Sequence, residues 1–232
     1  NRIVFDSSDS VTSEAFRQLR SRLQFFIKET TAPVILVTSA MPDDGKTFTA
    51  INLAAVYSLL GKKTVLVGFD LRKPKIIQDF NLSNEKGVST LLIGQDQIEE
   101  IIQESGYTNL SIITSGPIPP NPAELIALPK TGDLLSGLKD KFDIIIIDTS
   151  PLGVVSDTIH LASLSDTCLL VVRPGSTMKS VLEPTIHEIN TSSLKGVSLV
   201  INDIKINARK YGYGKGYGYV KNENKRRLLF RK

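Results

Sequence analysis

The amino-acid sequence predicts an α/β protein with an open, mostly parallel sheet and helices on both faces. Short apolar runs alternate along the chain with segments of helical periodicity, which is typical of parallel strands joined by helices. The run 144–147 consists of four consecutive isoleucines, as expected for a central strand that is buried on both faces. In such a sheet ligands bind at the carboxyl ends of the strands, so we expect the functional residues there.

The first elements follow from the local pattern of residues 1–61. Residues 1–12 are predicted to be an extended or loose lead-in, because a Ser- and Asp-rich stretch follows Phe5. Thr12 or Ser13 can cap an amphipathic helix that continues to about Lys28. Residues 34–38 are predicted to be a strand, and residues 46–60 a helix that ends at Gly61.

The alternation of strands and helices continues to residue 201. Predicted strands cover residues 64–67, 110–113, 142–148, 167–172 and 197–201. Predicted helices cover residues 76–80, 87–92, 98–104, 123–128, 131–139, 154–164 and 178–190. We expect residues 1–206 to form one domain and residues 207–232 to be a flexible tail, because the tail is rich in Gly, Tyr and Lys and cannot bury a core.

Charge is divided unevenly along the 232 residues. The formal net charge is +4, yet residues 205–232 contain ten Lys or Arg and one Glu, which leaves the rest of the chain negative. A basic protein often binds nucleic acid, but here the basicity is confined to the tail, and we expect no nucleic-acid partner. No apolar run is long enough to span a bilayer, and the single cysteine, Cys168, leaves no disulfide within the chain.

Residues 40–47 read A-M-P-D-D-G-K-T, which is the phosphate-loop pattern G-x-x-x-x-G-K-[ST] with Ala40 in place of the first glycine. Backbone N–H groups at the start of the following helix bind phosphate in such a loop. The Lys46 ammonium would reach the β- and γ-phosphates of ATP, and the Thr47 hydroxyl would hold Mg²⁺. The residues predicted to contact the nucleotide are Asp43, Asp44, Gly45, Lys46, Thr47 and Phe48.

Two aspartates lie at the carboxyl ends of predicted strands, on the side of the sheet where the loop is expected. Asp148 ends the isoleucine strand, and an apolar strand that ends in Asp is typical of the second metal-binding element of phosphate-loop enzymes. Asp70 can hold Mg²⁺ or orient an attacking hydroxyl, and Arg72 can pair with phosphate. We predict as catalytic residues Lys46, Asp70, Arg72 and Asp148, as metal ligands Thr47, Asp70 and Asp148, and as weaker candidates Asp157 and Arg173.

The tail contains four closely spaced tyrosines that are flanked by glycines: Tyr211, Tyr213, Tyr217 and Tyr219. Together with the basic residues they can stack on the bases of single-stranded nucleic acid. Alternatively they are phosphoacceptors, because glycine lets the backbone enter a catalytic cleft and phosphate adds negative charge to a positive tail. Composition alone leaves both interpretations open.

Taken together, these motifs resemble the cytoplasmic catalytic domain of the bacterial tyrosine kinases (BY-kinases) of capsule and exopolysaccharide export, the Wzc/CapB type. The resemblance extends over nearly the whole chain. Besides the phosphate loop and the tyrosine cluster, the matching segments are Glu14-x-x-Arg17-x-x-Arg20, Asp70-Leu71-Arg72-Lys73-Pro74, Gly116-Pro117 with Asn121-Pro122-Ala123-Glu124-Leu125, and Ile147-Asp148-Thr149-Ser150-Pro151.

The resemblance implies an ATP- and Mg²⁺-dependent kinase that autophosphorylates the four tail tyrosines in trans within a ring-shaped homo-oligomer. It implies that Glu14, Arg17 and Arg20 make the ring contacts. It also implies a place on the cytoplasmic face of the bacterial inner membrane, beside a transmembrane polysaccharide co-polymerase that is a fused region or a separate subunit. An opposing phosphotyrosine phosphatase and a role in regulating polysaccharide polymerisation and export complete these expectations, with this segment itself expected to be soluble.

Two positions depart from the pattern of that family. The family usually has Asp-x-Asp after the loop helix, with the first Asp implicated in metal binding and catalysis, whereas this chain has Gly68 there and keeps only Asp70. Either Asp70 acts alone or the enzyme is slow. Asp43 stands where glycine is usual, so that Asp43 and Asp44 are expected close to the phosphates, where they would weaken ATP binding without Mg²⁺.

Two other functions stay open on the sequence alone. A partition or septum-site ATPase of the MinD/ParA kind shares the expected fold. Those proteins carry a signature lysine early in the loop, where this chain has Met41, and they lack a tyrosine-rich tail. A non-catalytic ATP-binding regulator of polysaccharide export is the second alternative, which Gly68 favours.

Overall fold

A computed structural model describes residues 1–27, 30–154, 157–191 and 196–205. Within these residues the chain forms seven strands and ten helices. The strands are β1 Val34–Ser39, β2 Thr64–Gly68, β3 Ile102–Glu104, β4 Leu110–Ile113, β5 Ile144–Asp148, β6 Thr167–Val172 and β7 Val197–Ile201. The helices are α1 Ile3–Asp6, α2 Val11–Ile27, α3 Lys46–Leu59, α4 Ile76–Phe80, α5 Val88–Leu92, α6 Ile98–Ile101, α7 Pro122–Ile126, α8 Pro129–Lys139, α9 Asp157–Ser163 and α10 Lys179–Thr191. The predicted tail with its four tyrosines lies outside the described residues.

The strands form one sheet in the order β3-β4-β2-β5-β1-β6-β7. Every neighbouring pair is parallel except β3 and β4, which are antiparallel. Strand β5 lies between β1 and β2, and all of its residues are buried, as the run of isoleucines predicts. The predicted open and mostly parallel sheet is confirmed.

Helices cover both faces of this sheet, because side chains along each inner strand alternate between two cores. In β1, Ile35 and Val37 belong to a core that includes residues of α2 and α3. Val34 and Leu36 belong to a second core that includes residues of α8 and α9. This alternation is the two-residue period of a strand that is buried on both faces.

Two predicted elements are wrong at the edges of the fold. The lead-in contains the helix α1, because Val4 is 1% exposed and its N–H donates to Asn52 Oδ1 on α3 at 2.9 Å. The predicted helix 98–104 ends at Ile101, because residues 102–104 pair with β4 as an antiparallel edge strand. In both cases a distant partner decides the conformation, and local periodicity does not contain that partner.

The carboxyl ends of β1, β5 and β2, which are neighbours in the sheet, lie side by side at one end of the strands. Asp148 at the end of β5 is level with Val37 of β1 on one side and with Gly68 of β2 on the other. The loop from β1 to α3 and the segment that follows β2 therefore flank Asp148. No helix among the described residues is both long and apolar enough to cross a membrane.

Candidate nucleotide and metal site

The loop between β1 and α3 has the backbone that a phosphate loop requires. Ala40 is fully buried and has a negative φ, so the missing glycine is tolerated. Gly45 precedes α3 with a φ of +102°, and a Cβ at this position would collide with the side-chain amide nitrogen of Asn202. The sequence needs glycine here, immediately before the N–H groups at the start of α3 that favour an anion.

Lys46 is the buried cation at the centre of the site. It is 6% exposed, and its ammonium lies 2.9 Å from Asp70 Oδ2 and 3.9 Å from Asp148 Oδ1. Burial lowers the pKa of Lys46, but the two carboxylates outweigh burial and hold that pKa above its usual value. Lys46 is therefore charged and available to anionic phosphate oxygens.

Asp70 is the fixed carboxylate of the site. Its Oδ1 accepts hydrogen bonds from the Ser150 hydroxyl at 2.9 Å and from the backbone N–H groups of Lys73 and Arg72 at 3.0 and 3.3 Å. Burial raises the pKa of Asp70, but Lys46 and these donors lower it more, so the pKa lies below its usual value. The structure thus brings the predicted residues Asp70 and Lys46 together, and it adds Ser150, a donor that the sequence analysis did not assign.

Asp148 is held differently from Asp70. Its Oδ2 accepts a hydrogen bond from the Thr47 hydroxyl at 2.7 Å, while its buried Oδ1 has no hydrogen-bond partner among the described residues. Burial raises the pKa of Asp148 to about 6, although Lys46 and Thr47 both act to lower it. An orphaned carboxylate oxygen beside a hydroxyl is a pair of hard oxygen ligands, and it fits Mg²⁺.

No group of three acidic, histidine or cysteine side chains gathers as a self-sufficient metal site in the part of the chain that the structure describes. This finding agrees with the donors at Asp148 and Thr47, because Mg²⁺ is usually bound by one or two carboxylates together with substrate phosphates and waters. The residues present fit a metal ion that arrives with a nucleotide.

A Cβ atom would fit at Gly68, which is level with Asp148 in the sheet. A Cβ on Gly68 would lie 3.4 Å from Ile76 Cδ1 and from the Ser115 nitrogen, which is ordinary van der Waals contact. Gly68, Asp70 and Asp148 line the same small void. The backbone at this position therefore accommodates a Cβ atom, and nothing in the packing around that atom requires glycine.

The other flank of the loop contains Asp44, which is fully buried. Its Oδ2 accepts from the Met41 N–H at 2.8 Å, and its Oδ1 accepts from the Thr177 hydroxyl at 2.7 Å. Its backbone oxygen accepts from Asn202 Nδ2 at 3.0 Å. The expected acidic pair at the phosphates is thus divided, because Asp44 faces the protein while exposed Asp43 pairs with Lys75 at 2.6 Å.

Thr177 and Asn202 are site residues that the sequence analysis missed. Asn202 directly follows β7, and Thr177 follows β6 in the turn that begins at Arg173. Both lie just beyond the carboxyl ends of strands, where a ligand is expected, and this position is the only signal that the sequence offers for them.

The remaining predicted residues have less direct placements. The Phe48 ring packs edge-on against Phe16, with ring centroids 5.7 Å apart, so its side chain belongs to the core. Arg17 pairs with Glu14 at 3.0 Å, whereas the Nε of Arg20 is buried without a hydrogen-bond partner among the described residues. The tail tyrosines and the Asp157 side chain lie outside what the structure describes, and the role of Arg72 stays a prediction.

A cavity of about 820 Å³ lies at the opposite end of the strands, near the residues that precede them. Its lining mixes apolar, basic and acidic side chains, among them Phe25, Leu60, Lys62, Lys139, Asp140 and Asp143. No predicted catalytic, metal-binding or nucleotide-binding residue lines it. Cavity size therefore does not mark the nucleotide site, which is recognised by its charged groups and its loop.

Comparison with known proteins shows the family of this chain. The chain matches the AAA domain family over residues 34–206. Tyrosine-protein kinase YwqD of Bacillus subtilis (strain 168) is 34% identical over 92% of this chain and 90% of that protein. Putative tyrosine-protein kinase CapB of Staphylococcus aureus is 33% identical over 91% of this chain and 94% of that protein. In tyrosine-protein kinase etk of Escherichia coli (strain K12), the match covers 91% of this chain but only 29% of the relative.

Solved structures separate two of the functions that the sequence leaves open. The kinase domain of Escherichia coli tyrosine kinase ETK superposes with a TM-score of 0.85 and 32% identity, over 94% of this chain and 86% of that one. Septum site-determining protein MinD of Pyrococcus horikoshii, complexed with Mg-ADP, has a TM-score of 0.62 and 20% identity over 73% of this chain and 70% of that one, so it shares the fold alone. The chain belongs to the AAA domain family and, within it, to the bacterial tyrosine-protein kinases.

Proposed function

We propose that the protein transfers the γ-phosphoryl group of ATP to tyrosine, and that its acceptors are Tyr211, Tyr213, Tyr217 and Tyr219 of its own tail. The observation that supports this most directly is the buried cluster of Lys46, Asp70, Asp148 and Thr47. In this cluster a cation and a pair of metal-ligand oxygens lie side by side at the start of α3. The relatives named as tyrosine kinases supply the acceptor class.

The chemistry needs few groups. Lys46 and the N–H groups of the loop hold the phosphates, and Mg²⁺, when bound by Thr47 and Asp148, neutralises charge on the phosphate oxygens. The tyrosine oxygen attacks the γ-phosphorus, the bond from that phosphorus to the β,γ-bridging oxygen breaks, and ADP leaves. The Asp70 carboxylate receives the hydroxyl proton. A low pKa makes Asp70 a weak base, which is sufficient because phosphoryl transfer depends mainly on positioning and electrostatic stabilisation.

We also propose how the protein assembles and where it lies in the cell. The protein forms a homo-oligomeric ring through Glu14, Arg17 and Arg20, and each tail is phosphorylated in trans. Because Glu14 and Arg17 already form an ion pair within one chain, ring formation must replace or extend that pair. The ring lies on the cytoplasmic face of the inner membrane with a transmembrane polysaccharide co-polymerase region or subunit. A phosphotyrosine phosphatase opposes it, and its phosphorylation state regulates polysaccharide polymerisation and export.

Incubation with labelled ATP and Mg²⁺, followed by mapping of phosphotyrosine by mass spectrometry, tests this function. We expect phosphate on the tail tyrosines, and none in a variant that has phenylalanine at all four positions. Lys46→Met should abolish labelling, because it removes the cation that lies beside both Asp70 and Asp148 and that would hold the phosphates. Unchanged labelling in Lys46→Met would contradict the site assignment.

A non-catalytic ATP-binding regulator of polysaccharide export is the second candidate, and Gly68 is the observation that favours it. This candidate is distinguished by the same experiment. A wild-type protein that binds ATP but forms no phosphotyrosine on any tail residue is a regulator and not a kinase.

A further inference from the structure

We propose that Thr177 is a positioning residue of the nucleotide site, which holds the phosphate loop in its binding conformation by fixing the Asp44 carboxylate. The inference rests on the proposed function only in requiring that the loop binds the phosphates of a nucleotide. We call the contacts among Met41, Asp44, Thr177 and Asn202 the loop brace. It lies on the β6 and β7 flank of the loop, apart from the contacts among Lys46, Asp70 and Asp148.

The brace is centred on a carboxylate that two neutral donors satisfy. Asp44 accepts from the Met41 N–H at 2.8 Å through one oxygen and from the Thr177 hydroxyl at 2.7 Å through the other. The first contact closes the loop on itself, and the second ties the loop to the segment after β6. Asp44 is fully buried, so the loss of either donor would leave one of its oxygens charged and without a hydrogen bond. We therefore expect the Met41 contact and the Thr177 contact to depend on each other.

Thr177 is itself held in place. Its hydroxyl oxygen accepts from the Arg173 N–H at 2.7 Å, and its own N–H donates to the Arg173 oxygen at 2.9 Å. The hydroxyl proton is therefore directed to Asp44. Next along the chain, the Met178 N–H contacts Met41 Sδ at 3.3 Å, so the same segment reaches the loop at a second point.

Asn202 acts on the same peptide from β7. Its Nδ2 donates to the Asp44 backbone oxygen at 3.0 Å, and its own N–H donates to the Val172 oxygen at 2.8 Å, which anchors the residue to β6. The Asp44 peptide leads directly into Gly45, whose φ of +102° orients the N–H groups at the start of α3. A shift of Asp44 would therefore reorient the N–H groups at the start of α3, so that they would no longer all point at the bound phosphate.

The expected consequence is weaker nucleotide binding with little change in the transfer step. A loop that is already ordered loses less entropy when it binds, whereas a loosened loop must be ordered by the nucleotide. Once ATP occupies the site, Lys46, Asp70 and Asp148 are unaffected by Thr177, because they lie on the other flank. The KM for ATP should therefore rise while kcat at saturating ATP stays nearly constant.

The test compares Thr177→Val, which has nearly the same shape without the hydroxyl, with Thr177→Ser, which keeps it. Titration calorimetry of the full chain with ADP should show binding that is about 5- to 20-fold weaker for the valine variant and within about twofold of wild type for the serine variant. The KM for ATP in autophosphorylation should rise by a similar factor in the valine variant, with kcat within about twofold.

Asp44→Ala supplies a double-mutant cycle. If Thr177 acts through Asp44, adding Thr177→Val to Asp44→Ala should weaken ADP binding no further. Equal ADP affinity of wild type and Thr177→Val would overturn the inference, as would equally weak binding by the serine and valine variants or additive effects in the cycle. Absence of phosphotyrosine would overturn the proposed kinase function but leave the calorimetric comparison valid, because ADP binding needs no acceptor.

Discussion

The two flanks of the phosphate loop use carboxylates in opposite ways. On the β2 and β5 flank, Asp70 and Asp148 surround the charged Lys46. On the β6 and β7 flank, Asp44 is enclosed by the N–H and hydroxyl groups of Met41 and Thr177. The first flank concentrates charge where phosphate and metal charges must be balanced, and the second fixes the backbone with neutral donors. The role of a buried aspartate in this site therefore follows from its ion-pair and hydrogen-bond partners, and not from its distance to the loop.

A second contrast exists within the charged flank. Lys46 and several donors hold the pKa of Asp70 below its usual value, whereas burial raises the pKa of Asp148 to about 6. Asp70 is fully satisfied, and Asp148 keeps one oxygen without a hydrogen bond among the described residues. When two neighbouring carboxylates have different pKa values because their surroundings differ, they are suited to different chemical tasks. Asp148 is suited to gain a cation, and Asp70 to orient Lys46 or an incoming hydroxyl.

Among the carboxylate variants, Asp148→Asn should have the largest effect, because it removes the metal-ligand charge while keeping the size of the side chain. We expect autophosphorylation to fall by roughly a hundredfold to a thousandfold. The nucleotide-free protein should become more stable, by about 2–3 kcal/mol at about pH 8, because a buried carboxylate with a raised pKa is costly to ionise. Phosphotyrosine assays and chemical denaturation measure the two effects.

The pH dependence of that stability gain gives a sharper check. An Asp whose pKa is raised to about 6 in the folded state contributes stability that is fully present below its ordinary pKa of about 4 and is lost as pH rises through about 6. The advantage of Asp148→Asn should therefore be greatest above about pH 7 and should shrink toward about pH 4. Asp140→Asn, at an exposed position, is the control for the loss of one carboxylate. A gain that is constant with pH would disprove the burial of the Asp148 charge.

Asp70→Asn should have the next largest effect and should distinguish the two carboxylates. We expect autophosphorylation to fall by roughly tenfold to a hundredfold, because the acceptor hydroxyl loses its orienting carboxylate. ADP binding without Mg²⁺ should tighten by a few fold, since Lys46 no longer pairs with Asp70 and can turn fully to phosphate. Calorimetry with ADP and EDTA measures this. If ADP affinity falls as it would in Lys46→Met, then Asp70 positions Lys46 and does not compete for it.

Gly68→Asp should raise activity where the previous changes lower it. The residue is level with Asp148 across β2 and β5, and a Cβ fits there without displacing backbone. A carboxylate at this position would add a ligand beside Asp148, so we expect about a threefold to tenfold faster autophosphorylation and a lower Mg²⁺ requirement. Gly68→Asn has the same size without the charge and should give no acceleration. Equal rates in wild type and Gly68→Asp would show that Asp70 alone provides the function.

Sequence reasoning located the charged flank and missed the neutral one for a physical reason. Lys46 and Thr47 lie within one contiguous motif, and Asp148 ends a strand whose four isoleucines indicate its position in the sheet. Thr177 and Asn202 touch Asp44 only because β6 pairs with β1 and β7 pairs with β6, and no local pattern encodes that contact. The same holds for the edge strand β3, which exists because β4 offers it a partner.

Asp43 should give the smallest effect, because its carboxylate is exposed and already paired with Lys75. Its φ of +65° favours Gly, Asn or Asp, so Asp43→Asn removes the charge without disturbing the backbone. We expect ADP without Mg²⁺ to bind about two- to threefold more tightly at low salt, and the difference to vanish at about 0.5 M salt, where exposed charges are screened. Lys75→Met is the matched variant and should weaken binding by a similar factor. A change in ADP affinity for Asp43→Asn that persists at high salt, or that is larger than the change for Thr177→Val, would contradict this expectation. It would mean that the Asp43 carboxylate faces the phosphates directly and repels them.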